Sequence, residues 1–166
     1  MDRGRLIDAL VERGVTYLDG GSGQPSGWRD AELISALAQA DDPRLRLALI
    51  ALFLARPAFG SLMPSAVAQL PMPAALALKQ YYTAAACLQR YWRTRLSAVV
   101  ANPMPLPDWF SRDLNLPDLD VLYGRLALRA LADQMAAQHD DADFWTAFQK
   151  SFEDFIRQRE MEMIVT

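Results

Sequence analysis

The chain has 166 residues, of which 52% are apolar and 22% charged, so it is long and apolar enough for one folded domain with a sizeable core. The single cysteine, Cys87, excludes an intrachain disulfide and a cysteine-based zinc cluster. The N-terminal segment lacks the apolar core of a signal peptide, and the longest apolar run, residues 47–55, has about half the length needed to cross a bilayer. We therefore expect a soluble, cytoplasmic protein that does not bind membranes.

Charge is distributed unevenly along the chain, whose net charge is −3. Residues 1–42 carry a net charge of −4, residues 43–107 carry +7 without one acidic residue, and residues 108–166 carry −6. Since neighbouring segments of one domain pack together, the favoured interpretation is that the acidic flanks neutralise the basic middle. The alternative is that the basic segment forms a surface whose positive field attracts anions.

The N-terminal third is predicted to be helical, with one long loop. Apolar residues recur at helical spacing from residue 3 to about residue 18, with Gly14 as the alternative, earlier end of this helix. Glycines, serines and a proline make residues 19–27 a loop. Helical patterns return at residues 30–40 and 43–55. The second of these begins with Asp42 as a plausible N-cap and Pro43 as its first residue.

The rest of the chain is also predicted to be helical. Residues 74–101 contain no glycine or proline and should form one long central helix. Residues 102–117 carry four prolines and should form an ordered loop, followed by a helix over residues 118–138 and a last helix that starts near Phe144 and frays from Glu160. Strand patterns are nearly absent. The sequence thus predicts an all-α single domain over residues 1–166, with about seven helices in a bundle or in irregular orthogonal packing.

Basic and aromatic residues alternate within residues 79–95, as they do in some phosphate and nucleic-acid sites. A helical wheel places most of the aromatics on the core side and most of the bases outside, which is typical of an ordinary amphipathic helix. Arg95 falls on the apolar side and must pair with a flanking carboxylate or guard an anion pocket. If there is such a pocket, the candidate ligand-binding residues are Arg90, Arg93, Arg95, Gln89 and Tyr82.

A second candidate site lies near the N-terminus, where GVTYL is followed by a glycine-rich loop and an acidic pair. The pattern resembles the opening of minimal nucleotidyltransferases, in which such a loop precedes two acids that hold magnesium. The matching residues are Gly20, Gly21, Ser22, Asp30 and Glu32. The resemblance covers about 30 residues. It implies a strand at the acidic pair, where this sequence has a strong helix pattern.

Other chemistry finds little support in the sequence. His139 is the only histidine, and the adjacent Asp140, Asp141 and Asp143 are better explained by an N-cap of the last helix than by a metal site. No serine or cysteine stands in an evident nucleophile pattern with His139. We therefore expect no metal, no cofactor and no catalytic residues.

These observations favour a non-catalytic helical module that binds another protein or itself. Seven methionines and four tryptophans offer ample apolar contact area. The candidate interaction surface is on the last helix, at Trp145, Phe148 and Phe152. The alternative is a binder of an anionic small molecule, such as a nucleotide or phosphate compound, through residues 43–107. We do not expect nucleic acid as a partner.

Overall fold

The computed structural model describes residues 2–165, and within them the chain forms α-helices and 3-10 helices but no β-strand. The eight α-helices are α1 (Arg3–Glu12), α2 (Asp30–Ala38), α3 (Pro43–Ala55), α4 (Met63–Gln69), α5 (Ala74–Tyr91), α6 (Arg93–Ser97), α7 (Arg125–Gln138) and α8 (Phe144–Val165). Two 3-10 helices, Pro57–Leu62 and Val121–Gly124, precede α4 and α7. The predicted all-α single domain is confirmed.

The centre of the fold is the pair α3 and α5. Helix α3 is buried around its whole circumference over its last two turns, since every residue from Ala48 to Leu54 is inaccessible to solvent. Helix α5 packs against α2, α3, α4 and α7, while α8 covers the other side of α3 and also contacts α7. The apolar run in α3 is therefore a core helix. Among the described residues no helix combines the length and apolar composition for a bilayer span by itself; only α3 together with Pro57–Gln69 does, and that pair is bent by 113°.

Local sequence signals set several helix ends. The Asp42 side chain accepts a hydrogen bond from the Arg44 N–H at 2.9 Å, so it caps α3 as its position predicts. Helix α1 ends at Glu12, short of residue 18, because Gly14 adopts a φ of 91° that continues no right-handed helix.

The predicted single helix over residues 74–101 is wrong in its second half. Helix α5 starts at Ala74 as expected, but the backbone departs from helical geometry at Trp92, and α6 stops at Ser97. The Trp92 indole stacks on Tyr91 at 4.5 Å and donates to Gln149 of α8 at 2.8 Å. The hydrogen bond from Trp92 to α8 therefore lies at the residue where the helix is interrupted. The longest helix is instead α8, which continues to Val165, beyond the expected fraying at Glu160.

The proline-rich loop after α6 is ordered against the core, as predicted. Phe110 and Leu114 are buried, and the Trp109 indole donates to the Gly60 carbonyl at 2.9 Å. Helix α7 begins only after Gly124, which has a φ of 81° and lies so close to α5 that a Cβ would sit 2.7 Å from the Cys87 carbonyl oxygen. The glycine is thus both a helix start and a close-approach point.

Candidate functional site

The basic middle segment is neutralised in part within the fold, through three of its seven bases. Three of its bases form ion pairs with acids of the C-terminal segment: Lys79 with Asp113 at 3.3 Å, Arg90 with Asp120 at 3.1 Å, and Arg95 with Glu153. Arg46 and Arg56 donate to backbone carbonyls. This supports the interpretation that acidic flanks pack against a basic centre.

The predicted ligand-binding residues on α5 are used to hold the proline-rich loop. The Gln89 amide donates to the Met104 carbonyl at 2.8 Å and accepts from the Leu106 N–H at 2.7 Å. The buried Tyr82 hydroxyl donates to the Pro107 carbonyl at 2.6 Å, and burial raises the pKa of this phenol above its ordinary value. Gln89 and Tyr82 therefore have internal partners and do not line an open pocket.

The three candidate arginines also point to different partners. Arg90 donates to the Leu106 carbonyl in addition to its pair with Asp120. Arg95 makes a two-pronged pair with Glu153 of α8, and hydrogen bonding to Arg95 lowers the pKa of the Glu153 carboxyl. Arg93 lies over the Tyr123 ring, 4.7 Å from its centroid. The predicted cluster does not converge on one anion, and Arg95 is explained by the flanking carboxylate.

The predicted interaction surface on α8 is corrected as well. Phe148 and Phe152 are completely buried in the core between α8, α3 and α7, so they cannot contact a partner. Trp145 is partly buried, and the Arg129 guanidinium covers its ring at 4.1 Å. Helical spacing correctly placed the phenylalanines on one face of α8. It could not show whether that face packs into the core or is exposed to a partner.

The N-terminal glycine-rich loop is occupied by the protein's own carboxylates. Asp8 of α1 accepts from the Ser22 N–H and hydroxyl, both at 2.7 Å, and from the Gly23 N–H at 3.0 Å. One turn later Glu12 binds Ser26 in the same way, at 2.7 and 2.6 Å. The hydrogen bond from the Ser22 hydroxyl is the main reason that the pKa of Asp8 is lowered. A phosphate would have to displace these carboxylates.

The acidic pair that follows the loop has helical surroundings. Asp30 and Glu32 lie in the first turn of α2, where Asp30 pairs with Arg13 at 2.7 Å and Glu32 pairs with Arg29. No part of residues 2–165 forms the strand that the nucleotidyltransferase resemblance implies. The geometry therefore gives that resemblance no support.

The acids around His139 have a structural explanation. Asp143 accepts from the Thr146 N–H at 3.0 Å and from its hydroxyl at 2.6 Å, which satisfies the first turn of α8. Within the described part of the chain, no three histidine, cysteine or acidic side chains are grouped to hold a metal ion.

The 3-10 turn before α7 is the part of the surface that sequence reasoning missed. Its side chains expose an apolar patch, which we call the knuckle, formed by Val121, Leu122, Tyr123 and Leu126. Leu122 is 65% exposed and Tyr123 60% exposed, yet both have left-handed backbone angles, with φ values of 49° and 54°. Bulky residues rarely adopt this conformation. The one signal in the sequence was Gly124 within an apolar helical pattern.

The knuckle packs against α5 and the first residue of α6. Gly124 rests on the Cys87 backbone, Arg90 binds Asp120 next to the turn, and Arg93 covers the Tyr123 ring. Arg93, Arg125 and Arg129 are exposed near it, and none of them forms an ion pair within residues 2–165. The patch is therefore apolar, packs on α5 through Gly124, and is bordered by three arginines that form no ion pair in the described part of the chain and by Asp120, which pairs with Arg90.

Comparison with known proteins adds no assignment, since no protein-family model, curated protein or solved structure matches this chain.

Proposed function

We propose that the protein is a non-catalytic helical module that binds a protein partner through the knuckle. The observation that carries this proposal is the pair of consecutive, exposed, bulky residues in left-handed backbone conformation, Leu122 and Tyr123. Each such residue costs about 1–2 kcal/mol relative to right-handed geometry. Their side chains recover little of that cost by burial within this chain.

Burial of Leu122 and Tyr123 against a partner would offset the free-energy cost of their left-handed backbone conformation. Burying a leucine side chain contributes about 1.5–3 kcal/mol, and a tyrosine adds a large ring at a low entropic cost. Because Gly124 and Arg93 already hold the turn, little ordering entropy remains to be lost on association. A preorganised apolar projection of this kind fits an apolar hollow on another surface.

The charges around the knuckle support a more specific proposal for the partner. Arg93, Arg125 and Arg129 favour a hollow rimmed by carboxylates, which would also accelerate association. A symmetric contact between two copies would place the knuckle and its arginines against themselves, and the like charges would repel. We therefore propose a different protein with an acidic rim, not a second copy of this chain.

Site-specific photo-crosslinking tests the proposal. A benzophenone amino acid is placed at Tyr123 and, as a control, at Met72, which is 69% exposed and lies elsewhere on the surface. In cells that express the protein, a discrete crosslinked product is expected from position 123 and not from position 72. The identified partner is then purified and titrated against the wild type, Leu122→Asp and Met72→Asp.

The two aspartate variants give a matched comparison, because each adds one negative charge at an exposed apolar position. Leu122→Asp is expected to weaken binding at least about tenfold, the effect of losing one buried anchor, while Met72→Asp leaves it unchanged. Binding should also weaken with added salt. Equal affinities for the two variants would refute the knuckle as the docking surface. A dimer of the pure chain that Leu122→Asp abolishes in native mass spectrometry would refute the acidic partner.

A further inference from the structure

A second surface feature, which we call the Tyr17 cleft, shares no lining residue with the knuckle. It lies between α8, the segment around Thr16 and Tyr17, and the first turn of α3, and its volume is about 690 Å³. Volumes of roughly 300–1,000 Å³ are usual for small-molecule sites. Apolar contact in the cleft comes from the Tyr17 ring, Met161 and Val165.

The wall of the cleft is fixed by one buried side chain of α8. The Gln158 amide accepts from the Thr16 N–H at 2.8 Å and donates to the Gly14 carbonyl at 2.6 Å. The Gln158 amide thus pairs with two backbone groups of the segment after α1, as a neighbouring strand would, and holds that segment against α8. The position of Tyr17 beside α8 is thereby set before any ligand arrives.

Two polar groups that line the cleft have no partner in the fold. The Tyr17 hydroxyl makes no hydrogen bond within residues 2–165, and the Arg44 side chain makes neither a hydrogen bond nor an ion pair there. Burial raises the pKa of Tyr17, the charge of Asp154 adds to this rise and Arg44 opposes it, so the phenol keeps its proton at neutral pH. A neutral phenol and a free guanidinium are both hydrogen-bond donors.

The remaining charges of the cleft are largely satisfied. Asp154 pairs with Lys150 at 2.9 Å and with Arg157 at 4.0 Å. Glu162 accepts from the Gln158 amide at 3.1 Å and from Arg159 at 3.4 Å. Of the three cations that line the cleft, Arg44 is therefore the one that forms no ion pair within residues 2–165, and it is the one most available to a ligand.

We propose that the Tyr17 cleft binds a small amphiphilic monoanion, in which one carboxylate-like head meets Arg44 and Tyr17 and an apolar body covers Met161 and Val165. A single free guanidinium with one phenol matches the two oxygens of a carboxylate. A polyphosphate would need several unpaired cations, and the described part of the cleft supplies one. A cationic amphiphile would face Arg44 without a free acid to compensate.

Binding of decanoate, measured below its micelle concentration by calorimetry and amide NMR, tests the proposal. We expect saturable binding with shifts at Thr16, Tyr17 and Gln158. Decan-1-ol should bind about tenfold more weakly, since it lacks the charge-assisted hydrogen bond, and decyltrimethylammonium should bind no better than decan-1-ol.

Variants separate this site from general surface adsorption. Arg44→Gln should weaken decanoate about tenfold while leaving decan-1-ol unchanged, and Arg112→Gln, at an exposed arginine on the loop before α7, should change neither. Met161→Glu should remove binding, because it places a negative charge against the apolar body. Absent saturation, shifts spread over the surface, or equal losses in Arg44→Gln and Arg112→Gln would overturn the proposal. Leu122→Asp should leave decanoate binding intact, so the two proposals fail separately.

Discussion

The contact between Gly124 and α5 predicts a specific and large loss of stability in Gly124→Ala. A Cβ at this position would lie 2.7 Å from the Cys87 carbonyl oxygen, 3.1 Å from its Cα and 3.3 Å from its carbonyl carbon. All three atoms belong to the backbone of a buried helix, so they cannot move aside as a flexible side chain could. Either α7 or α5 must shift.

The magnitude follows from three contributions. The φ of 81° costs an alanine about 1–2 kcal/mol, and forcing an extra methyl group against packed backbone costs about 1–3 kcal/mol. Lower entropy of the unfolded chain returns about 0.4–1 kcal/mol. We therefore expect Gly124→Ala to lower the free energy of unfolding by about 1–4.6 kcal/mol.

Gly23→Ala is the matched control for this measurement. Gly23 has a φ of 77°, close to that of Gly124, but no atom lies within 4 Å of its virtual Cβ. Gly23→Ala carries the backbone strain and the entropy gain without the clash, so it should lower the free energy of unfolding by about 0–1.6 kcal/mol. Urea unfolding followed by circular dichroism measures both. If the two variants lose the same free energy, the close approach of Gly124 to Cys87 contributes nothing and the reasoning is refuted.

Three further predictions concern the internal contacts. Gln89→Met should lower the free energy of unfolding by about 2–3 kcal/mol, because two hydrogen bonds to the proline-rich loop are lost and a buried N–H has no acceptor. A double-mutant cycle of Arg95→Met and Glu153→Gln should give a coupling of about 0.5–1 kcal/mol that shrinks with salt. Asp8→Asn should be less stable than the wild type at neutral pH, and the difference should shrink progressively as the pH falls below about 4 and through the lowered folded pKa of Asp8. The sign follows because the folded pKa of Asp8 is lowered, so its contribution exists above the unfolded value and is lost on protonation.

Each of these has a contradicting outcome. Unchanged proteolysis of residues 98–108 in Gln89→Met would show that the amide does not hold the loop. Additive effects of Arg95→Met and Glu153→Gln would mean that the pair is not coupled. A stability difference for Asp8→Asn that persists unchanged to pH 2, measured by thermal unfolding, would show that the Asp8 charge is not what binds the loop.

Local pattern alone determined the class of the fold and several of its details. Helical spacing of apolar residues placed α2, α3, the end of α7 and the start of α8, because that spacing reflects the helix repeat whatever the helix packs against. The start of α7 was predicted at residue 118, seven residues before Arg125. Asp42 could also be identified as the N-cap of α3, because a cap forms a hydrogen bond to the backbone only two or three residues away. The absence of acids from residues 43–107 also indicated that this segment would be paired with the flanks.

Only the tertiary structure decided which surfaces are free. Phe148 and Phe152 have the same spacing whether they face a partner or the core, and the helices α3 and α7 that bury them are distant in sequence. The sequence around Gln89 and Arg95 does not show their partners. In the fold, Gln89 binds the proline-rich loop and Arg95 pairs with Glu153 of α8. The left-handed turn at Leu122 and the open side of Tyr17 are likewise set by packing at Gly124 and Gln158. A side chain's availability depends on contacts across the whole chain, and periodicity carries no information about those contacts.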